Sequence, residues 1–240
     1  FTVSPAEKRR ETILERLLTL PLESPPGEEI RYSDAGYILL GFLLERGTGK
    51  SLKELLRKKI TEPLRLMDTG FTPLDEVPHC DSARIVGTGF CHVRRREKVG
   101  EPDDLNCYAL GGVAGHAGIF STASDLTALG TYLLRKWREE VEENREGLVT
   151  YLLQEVKDRR GRKRFLGFDR PEGENSLAGR GCSPLTAGHL GWTGTSIWID
   201  FGRGRGVVFL TDHVACGGDR EEFNQVRRRV HTAAWEVAGG

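Results

Sequence analysis

The chain has 240 residues, 38% of them hydrophobic, which is enough for one substantial domain or two small ones. Lys plus Arg and Asp plus Glu number 35 each, so no net charge favours nucleic acid or an anionic membrane surface as a partner. No apolar run approaches the roughly 18–20 residues that a membrane span needs.

The N-terminal part is predicted to be helical. Ser4-Pro5-Ala6-Glu7 combines a capping box with proline at the first helical position, and predicts a helix that runs toward Leu20. Pro25-Pro26-Gly27 predicts a rigid turn. A second helix is predicted over Asp34–Arg46. Its spacing predicts a buried face made of Tyr37, Leu40, Gly41 and Leu44.

The middle of the chain has weaker signals. Ser51-Leu52-Lys53-Glu54 is a second capping box, and predicts a helix that ends before Pro63. We expect a loop over Leu64–Cys80. The glycine- and charge-rich stretch Ile85–Leu110 predicts a long excursion that can include short strands. The glycines of Gly111–Gly118 predict a loop that permits close backbone approach.

The C-terminal part changes character. Thr122 is predicted to cap a helix that reaches about Glu143, and a short helix is predicted over Leu148–Lys157. Three strands are predicted, at Ala187–Thr193, Thr195–Asp200 and Gly206–Asp212. The last two are joined by a tight hairpin at Gly202–Arg205. A final amphipathic helix is expected over Glu221–Val237. Its predicted apolar face carries Phe223, Val226, Val230, Ala233 and Ala234.

This order of elements predicts an α+β fold in a single domain over residues 1–240. Residues 1–186 form its mainly helical and loop region, and residues 187–240 form the sheet strands and the C-terminal helix. Three basic clusters, interpreted as solvated loops and helix faces because no aromatic residues interleave with them, are Arg94–Arg96, Arg159–Arg164 and Arg227–Arg229.

The cysteines argue against a disulfide framework. They are odd in number and form no Cys-x-x-Cys motif: Cys80, Cys91, Cys107, Cys182 and Cys216. Reduced thiols fit a cytoplasmic setting, but the sequence assigns no compartment. The opening residues Phe1–Ser4 lack the regions of a signal peptide.

Two competing motifs are rejected. Gly47-Thr48-Gly49-Lys50-Ser51 is similar to the end of a phosphate loop, but Leu44 stands where the first glycine belongs and no strand precedes it. His79-Cys80 and Cys91-His92 could supply four zinc ligands, but their spacing matches no zinc pattern. No metal or other cofactor is expected.

Two short motifs resemble those of a known family. Tyr32-Ser33-Asp34 precedes an apolar helix, and His189-Leu190-Gly191-Trp192-Thr193-Gly194-Thr195 lies on a predicted strand. Together they resemble two of the three active-site motifs of the β-lactamase-like, penicillin-recognising serine hydrolases. The segment Gly111–Gly118 and Ser121–Leu126 are also similar to the family. The resemblance implies a β-lactamase/transpeptidase-like fold and an acyl-enzyme mechanism on an ester, small amide or peptide substrate.

The resemblance also implies roles for individual residues. Tyr32 would relay protons, Asp34 would orient the tyrosine network or a substrate amide, and His189 would contact the substrate from a strand. The Trp192 N–H would be an oxyanion donor. Further substrate-binding or oxyanion residues are Gly191, Thr193 and His116. Structural interpretations remain open for four of the residues: Tyr32 as a surface tyrosine, Asp34 as a helix cap, His189 as an isolated strand histidine, and His116 as a loop histidine bonded to backbone.

The sequence departs from the family at the nucleophile. No serine of the chain is followed by lysine at the third position, so Ser-x-x-Lys is absent. Asp34 in place of Asn and His189 in place of Lys favour the esterase or peptidase branch. The expectation is an inactive, N-terminally truncated piece of a serine hydrolase. The alternative is a catalytically silent relative that binds a peptidoglycan-like or acyl ligand.

Overall fold

The computed structural model describes residues 6–74, 76, 82–93 and 95–237. The predicted cap at Ser4 and Pro5 and the pair His79-Cys80 lie outside these residues. The chain divides into two compact units, the first comprising Phe1–Pro25 and Arg31–Asp125, the second Pro26–Ile30 and Leu126–Gly240. The boundary drawn from sequence between residues 186 and 187 falls within the second unit, and the single-domain organisation stays a prediction.

Helices and short antiparallel strands are mixed in this structure. The helices are α1 (Ala6–Thr19), α2 (Asp34–Thr48), α3 (Leu52–Leu56), α4 (Glu62–Leu64), α5 (Leu105–Ala109), α6 (Ala123–Glu142), α7 (Leu148–Leu152), α8 (His213–Cys216) and α9 (Arg220–Val237). The strands are β1 (Gly70–Phe71), β2 (Phe90–Cys91), β3 (Arg96–Glu97), β4 (Ile119–Phe120), β5 (Glu155–Lys157), β6 (Lys163–Phe165), β7 (Thr186–Leu190), β8 (Ser196–Asp200) and β9 (Arg205–Phe209). Among the described residues, every helix is too short or too polar to cross a bilayer.

The first unit has its core between α1, α2 and the α5 region. Buried Ile38, Cys107, Leu110 and Ala114 form the cluster, against which side chains of α1 pack. The predicted buried face of α2 is wrong in part: Gly41 is buried, but Tyr37, Leu40 and Leu44 are exposed. The helix is apolar on nearly all sides, so its periodicity does not identify the side that packs.

The predictions for α3 and for the long excursion at Ile85–Leu110 are correct in part. Ser51 caps α3 as predicted, its hydroxyl accepting from the Glu54 N–H at 3.1 Å. After α3 the chain continues through a π-helical turn at Arg57–Thr61 into α4, so the helical segment as a whole does not stop before Pro63. Pro63 lies in the first turn of α4, where a missing N–H is tolerated. The excursion contains the β2–β3 hairpin and also α5, which was not predicted. The predicted loop at Leu64–Cys80 contains β1, which pairs with β4.

The second unit contains a three-stranded antiparallel sheet in the order β7-β8-β9. The three strands and their tight hairpin were predicted, and His189 pairs with Ile197 in the register. The first strand ends at Leu190, however, and residues 191–195 form a turn. Buried residues from α6, α7 and the strands form the core here: Leu133, Val149, Leu153, Phe165, Ala187, Ile199 and Phe201.

Two predictions in the second unit are wrong. The helix expected over Leu148–Lys157 ends at Leu152, because Glu155–Lys157 pairs with β6 and Asp158 accepts from the N–H groups of the connecting turn. The predicted apolar face of α9 is displaced, since Val226 is exposed. The buried residues of α9 are Arg227, His231 and Trp235, so the interpretation of Arg227 as solvated is also wrong.

Candidate active site

The tyrosine motif lies at the start of α2. Ser33 has an extended backbone and caps the helix, accepting a hydrogen bond from the Gly36 N–H at 3.1 Å. Asp34 is therefore the first helical residue, and its interpretation as the cap is wrong. Tyr32, one residue before the cap, is 70% exposed. An exposed phenol at this point is accessible to a substrate.

A glycine-rich loop brings His116 to the same end of α2. A Cβ on Gly115 would lie 2.1 Å from the Tyr37 carbonyl oxygen, so only glycine allows the loop to lie this close to the helix backbone. As a result, Asp34, Asp104 and His116 each place one oxygen or nitrogen within 4.8 Å of the others. One carboxylate oxygen from each aspartate and one imidazole nitrogen could together hold a metal ion.

The His116 side chain is hydrogen-bonded to a carboxylate. The alternative that it is a loop histidine bonded to backbone is therefore wrong. His116 Nε2 lies 2.8 Å from Asp104 Oδ1, which also accepts from the Cys107 N–H at 2.7 Å and so caps α5. The His116 side chain is only 4% exposed, and Nδ1 has no hydrogen-bond partner among the described residues. The geometry is thus that of a hydrogen-bonded carboxylate–imidazole pair beside Asp34.

The electrostatics of this cluster follow from those contacts. The hydrogen bond from His116 lowers the pKa of Asp104, outweighing the effect of burial, and the Cys107 N–H acts in the same direction. Asp104 is therefore ionised near neutral pH and Nε2 of His116 is the donor. Sequence reasoning missed Asp104, although an aspartate three residues before a buried Cys107 is a capping signal.

Two side chains of nucleophilic type in the described residues, Cys107 and Ser196, do not have the environment of an activated nucleophile. Burial, with the neighbouring Asp104 charge, raises the pKa of the Cys107 thiol to about 12, so it is not a thiolate. Ser196 Oγ lies 2.9 Å from His231 Nε2, which is the geometry of a nucleophile and its base. Both side chains are buried, and the pair links α9 to β8 instead.

The histidine motif lies on β7. His189 is half-buried, and its Nδ1 lies 2.8 Å from the Leu190 carbonyl oxygen. Its Nε2 is 3.9 Å from Asp169 Oδ2, at the limit of an ion pair. Asp169 is held in place by backbone hydrogen bonds with Gly188 and by Arg164 at 2.9 Å. Sequence reasoning also missed Asp169 as the acidic neighbour of His189, since no local pattern marks it.

The turn after β7 carries the predicted oxyanion donor. A Cβ on Gly191 would lie 2.0 Å from Thr195 Oγ1, so glycine is required for the turn to close. The Trp192 side chain is 69% exposed. The Trp192 N–H has no acceptor among the hydrogen bonds of the described residues, and Thr193 is held through its carbonyl, which accepts from the His213 N–H at 2.8 Å.

The structure thus assembles two separate half-sites. The first unit brings together Asp34 and His116, and Tyr32 lies two residues before Asp34 in sequence. The second unit carries His189, Gly191, Trp192 and Thr193 on one strand and its turn. That the two half-sites face a common cleft remains a prediction.

Comparison with known proteins identifies the family. The family described as Beta-lactamase matches residues 2–231. The chain belongs to the β-lactamase family. Its fold is β-lactamase/transpeptidase-like, as the resemblance of the two motifs implied, and the curated relatives described next are named as an amidase and a carboxypeptidase, which are hydrolases.

Two curated proteins are similar to the chain over part of their length. It is 30% identical over 220 residues to the N-acetylmuramyl-L-alanine amidase of Bacillus subtilis, covering 85% of the chain and 49% of the relative. It is 32% identical over 215 residues to a protein of Escherichia coli K12 provisionally named D-alanyl-D-alanine carboxypeptidase, covering 83% and 48%. The chain therefore spans about half the length of the curated relatives it matches.

Solved structures agree on the fold. A mutant of the simvastatin synthase of Aspergillus terreus aligns with a TM-score of 0.64 at 20% identity, covering 100% of the chain and 62% of that structure. A hydrolase with promiscuous acyltransferase activity aligns with a TM-score of 0.59 at 23% identity, covering 92% and 61%. At these identities the likeness establishes the fold only.

Proposed function

We propose that this chain supplies the tyrosine and oxyanion parts of the active site of a serine hydrolase that cleaves a small amide, peptide or ester through an acyl-enzyme. The observation that carries the proposal is the Trp192 N–H, which follows the family's strand motif and has no acceptor among the described residues. An unbonded backbone donor at this place fits the developing oxyanion of acyl transfer.

The proposed steps assign each half-site a role. A serine from outside these 240 residues attacks the substrate carbonyl, and its proton passes to Tyr32, which then protonates the leaving group. Water hydrolyses the acyl-enzyme by the reverse path. Because a phenol titrates near pH ~10, Tyr32 needs a neighbouring cation to act as a base. His189 and Asp34 orient the substrate.

The names of the relatives suggest the substrate class. One is named for cleaving the amide between N-acetylmuramic acid and L-alanine, and another for removing D-alanine from a D-alanyl-D-alanine terminus. We infer that peptidoglycan-derived muropeptides are substrates of the complete protein. Asp34 and His116 would then face the peptide part of the ligand.

The test uses the complete gene product, assayed with p-nitrophenyl acetate, N-acetylmuramyl-L-alanine and a D-alanyl-D-alanine peptide. Tyr32→Phe is expected to lower kcat/KM by at least about 10²-fold, as for a lost general base. Tyr151→Phe, at an exposed tyrosine of α7 that belongs to neither motif, is the matched control and should leave kcat/KM unchanged.

A fluorophosphonate probe provides an independent measurement. The complete protein should be labelled and the 240-residue chain should not. If the folded complete protein is neither labelled nor active but binds a muropeptide, the alternative of a catalytically silent binding relative replaces this proposal. Ester turnover by the 240-residue chain that Tyr32→Phe abolishes would contradict the requirement for an outside nucleophile.

A further inference from the structure

The turn at Gly191–Thr195 has all of its carbonyl groups occupied. Backbone and hydroxyl donors of the second unit account for part of this. The Gly191 and Thr195 carbonyls accept from the Gly194 and Gly191 N–H groups at 3.2 and 2.8 Å. The Gly194 carbonyl accepts from Thr211 Oγ1 at 3.0 Å, and the Thr193 carbonyl is bound to His213 as described.

Arg227 of α9 joins the two ends of the turn. Its Nη2 lies 3.4 Å from the Gly191 carbonyl oxygen and 3.3 Å from that of Thr195. The residue is only 2% exposed, and its guanidinium stacks on the Phe223 ring at 4.8 Å. One buried side chain therefore fixes the entry and the exit of the turn at the same time.

Arg220, at the start of the same helix, binds the middle of the turn. Its Nη1 lies 2.8 Å from the Trp192 carbonyl oxygen, and its guanidinium stacks on the Trp192 ring at 4.3 Å. With this contact the carbonyls of residues 191 to 195 all have donors. The Gly191 carbonyl and the Trp192 N–H belong to one peptide group, so the Arg227 contact with that carbonyl fixes the direction of the Trp192 N–H. The Arg220 contact with the Trp192 carbonyl fixes the Thr193 N–H in the same way.

The buried charge of Arg227 indicates a role beyond filling space in the core. Its hydrogen bonds among the described residues go to carbonyl and amide oxygens, and Nε has no partner. Burial, and then the nearby Arg220, lowers the pKa of Arg227 to about 10, so it is still charged at neutral pH. Burying a guanidinium without a carboxylate is unfavourable, and an apolar side chain would pack here at a lower cost.

We propose that Arg227, assisted by Arg220, is a positioning residue that holds the Gly191–Thr195 turn in the conformation that leaves the Trp192 N–H available to an oxyanion. The inference rests on the proposed function for its catalytic consequence. Its structural half, the fixed conformation of the turn, stands independently, because each of its contacts is within the second unit.

The structural half is tested on the 240-residue chain by amide NMR. Arg227→Met should shift and broaden the Trp192 and Thr193 amide signals, because the ends of the turn are released. Arg227→Lys, which offers one donor group where the fork of arginine spans two carbonyls, should have an intermediate effect. Arg229→Met, at an exposed arginine two residues away, is the matched control and should leave these signals unchanged.

The catalytic half is tested on the complete gene product. Removing an oxyanion donor costs about 10²–10³ in kcat, and Arg227 acts one step away, so Arg227→Met should lower kcat about tenfold with little change in KM. A lower thermal midpoint with unchanged kcat and unchanged amide signals would overturn the proposal. If Arg227→Met does not fold, Arg227→Lys, whose single donor group does not span the Gly191 and Thr195 carbonyls, gives the same test with a smaller loss of kcat.

The two halves fail separately. A complete protein without hydrolytic activity contradicts the proposed function, while the amide signals still decide whether Arg227 fixes the turn. Normal hydrolysis in a folded Arg227→Met variant with a released turn contradicts the positioning role and leaves the proposed function in place.

Discussion

Removing the Asp104 carboxylate should destabilise the first unit more than removing an ordinary helix cap does. Asp104 Oδ1 accepts from the Cys107 N–H, at 2.7 Å, and from His116 Nε2, at 2.8 Å. A lost cap costs about 1 kcal/mol. A lost hydrogen bond between a charged group and a buried partner adds about 1.5–3 kcal/mol. Asp104→Ala should therefore lower the free energy of unfolding by about 3 kcal/mol.

The matched control for this prediction is Ser51→Ala. Ser51 caps α3 through the Glu54 N–H in the same way, but no buried imidazole depends on it, so the expected cost is about 1 kcal/mol. The measurement is urea unfolding of the 240-residue chain at pH 7, followed by circular dichroism, with m-values compared. Equal costs for the two variants would refute the reasoning that the carboxylate–imidazole bond stabilises the site.

The pH dependence gives the same prediction a second check. The hydrogen bond from His116 holds the pKa of Asp104 below its ordinary value. The stability that this carboxylate contributes is therefore present above about pH 4 and is lost as the pH falls through the folded-state pKa. The difference in stability between the wild type and Asp104→Ala should narrow over that range. A constant difference down to pH 2 would contradict it.

Two further predictions concern other buried groups. Burial lowers the pKa of His231, so on acidification the imidazole is protonated in the unfolded state at a higher pH than in the folded state. The free energy of unfolding should therefore fall below about pH 6.5, by up to about 1.4 kcal/mol per pH unit. Urea unfolding of His231→Asn should not show this part of the pH dependence. The pKa of the Cys107 thiol, raised to about 12 by burial, predicts that a disulfide reagent at pH 8 labels exposed Cys216 in the native chain and Cys107 only after unfolding; equal native rates would contradict this.

Local signals in the sequence were sufficient where backbone chemistry is local. Ser51 and Thr122 cap their helices as predicted, and the glycines at residues 202 and 204 mark the β8–β9 hairpin. Strands β8 and β9 contain short apolar runs, Ile197–Ile199 and Val207–Phe209, between glycine-rich turns, and that pattern indicates buried strands. Each of these features is determined within a few residues, so no knowledge of the rest of the chain is needed.

Prediction failed where pairing across the chain decides the structure. Glu155–Lys157 has no strong preference against a helix, and it becomes a strand because Lys163–Phe165 pairs with it. Asp158 accepts from the Arg160 and Arg162 N–H groups at 2.9 Å each and so closes the turn between them. A carboxylate four residues before an arginine is also a common helix signal, so the same residues favour the wrong structure.

The error in the buried face of α9 arises because polar side chains are buried there, next to the turn that carries the Trp192 N–H. Arg227, His231 and Trp235 lie four residues apart on one face of α9, but a pattern that assigns charged side chains to water places Arg227 outside. Only a partner makes such burial favourable, and the partners here are carbonyls of the turn after β7. Those carbonyls belong to residues far away in sequence, so periodicity contains no information about them.

The motif residues of the two half-sites can be identified from sequence, but the residues that hold them in place cannot. Tyr32, His189 and the Gly191 turn are recognisable because the family motifs that they resemble have defined residue types at fixed spacings. Asp104 holds His116, and Arg227 holds the turn after Gly191, through hydrogen bonds that another arrangement of residues could also supply. A relative could keep both motifs and lose either support, and the reasoning above then predicts a recognisable site with a less firmly held His116 or Trp192 N–H and a lower kcat.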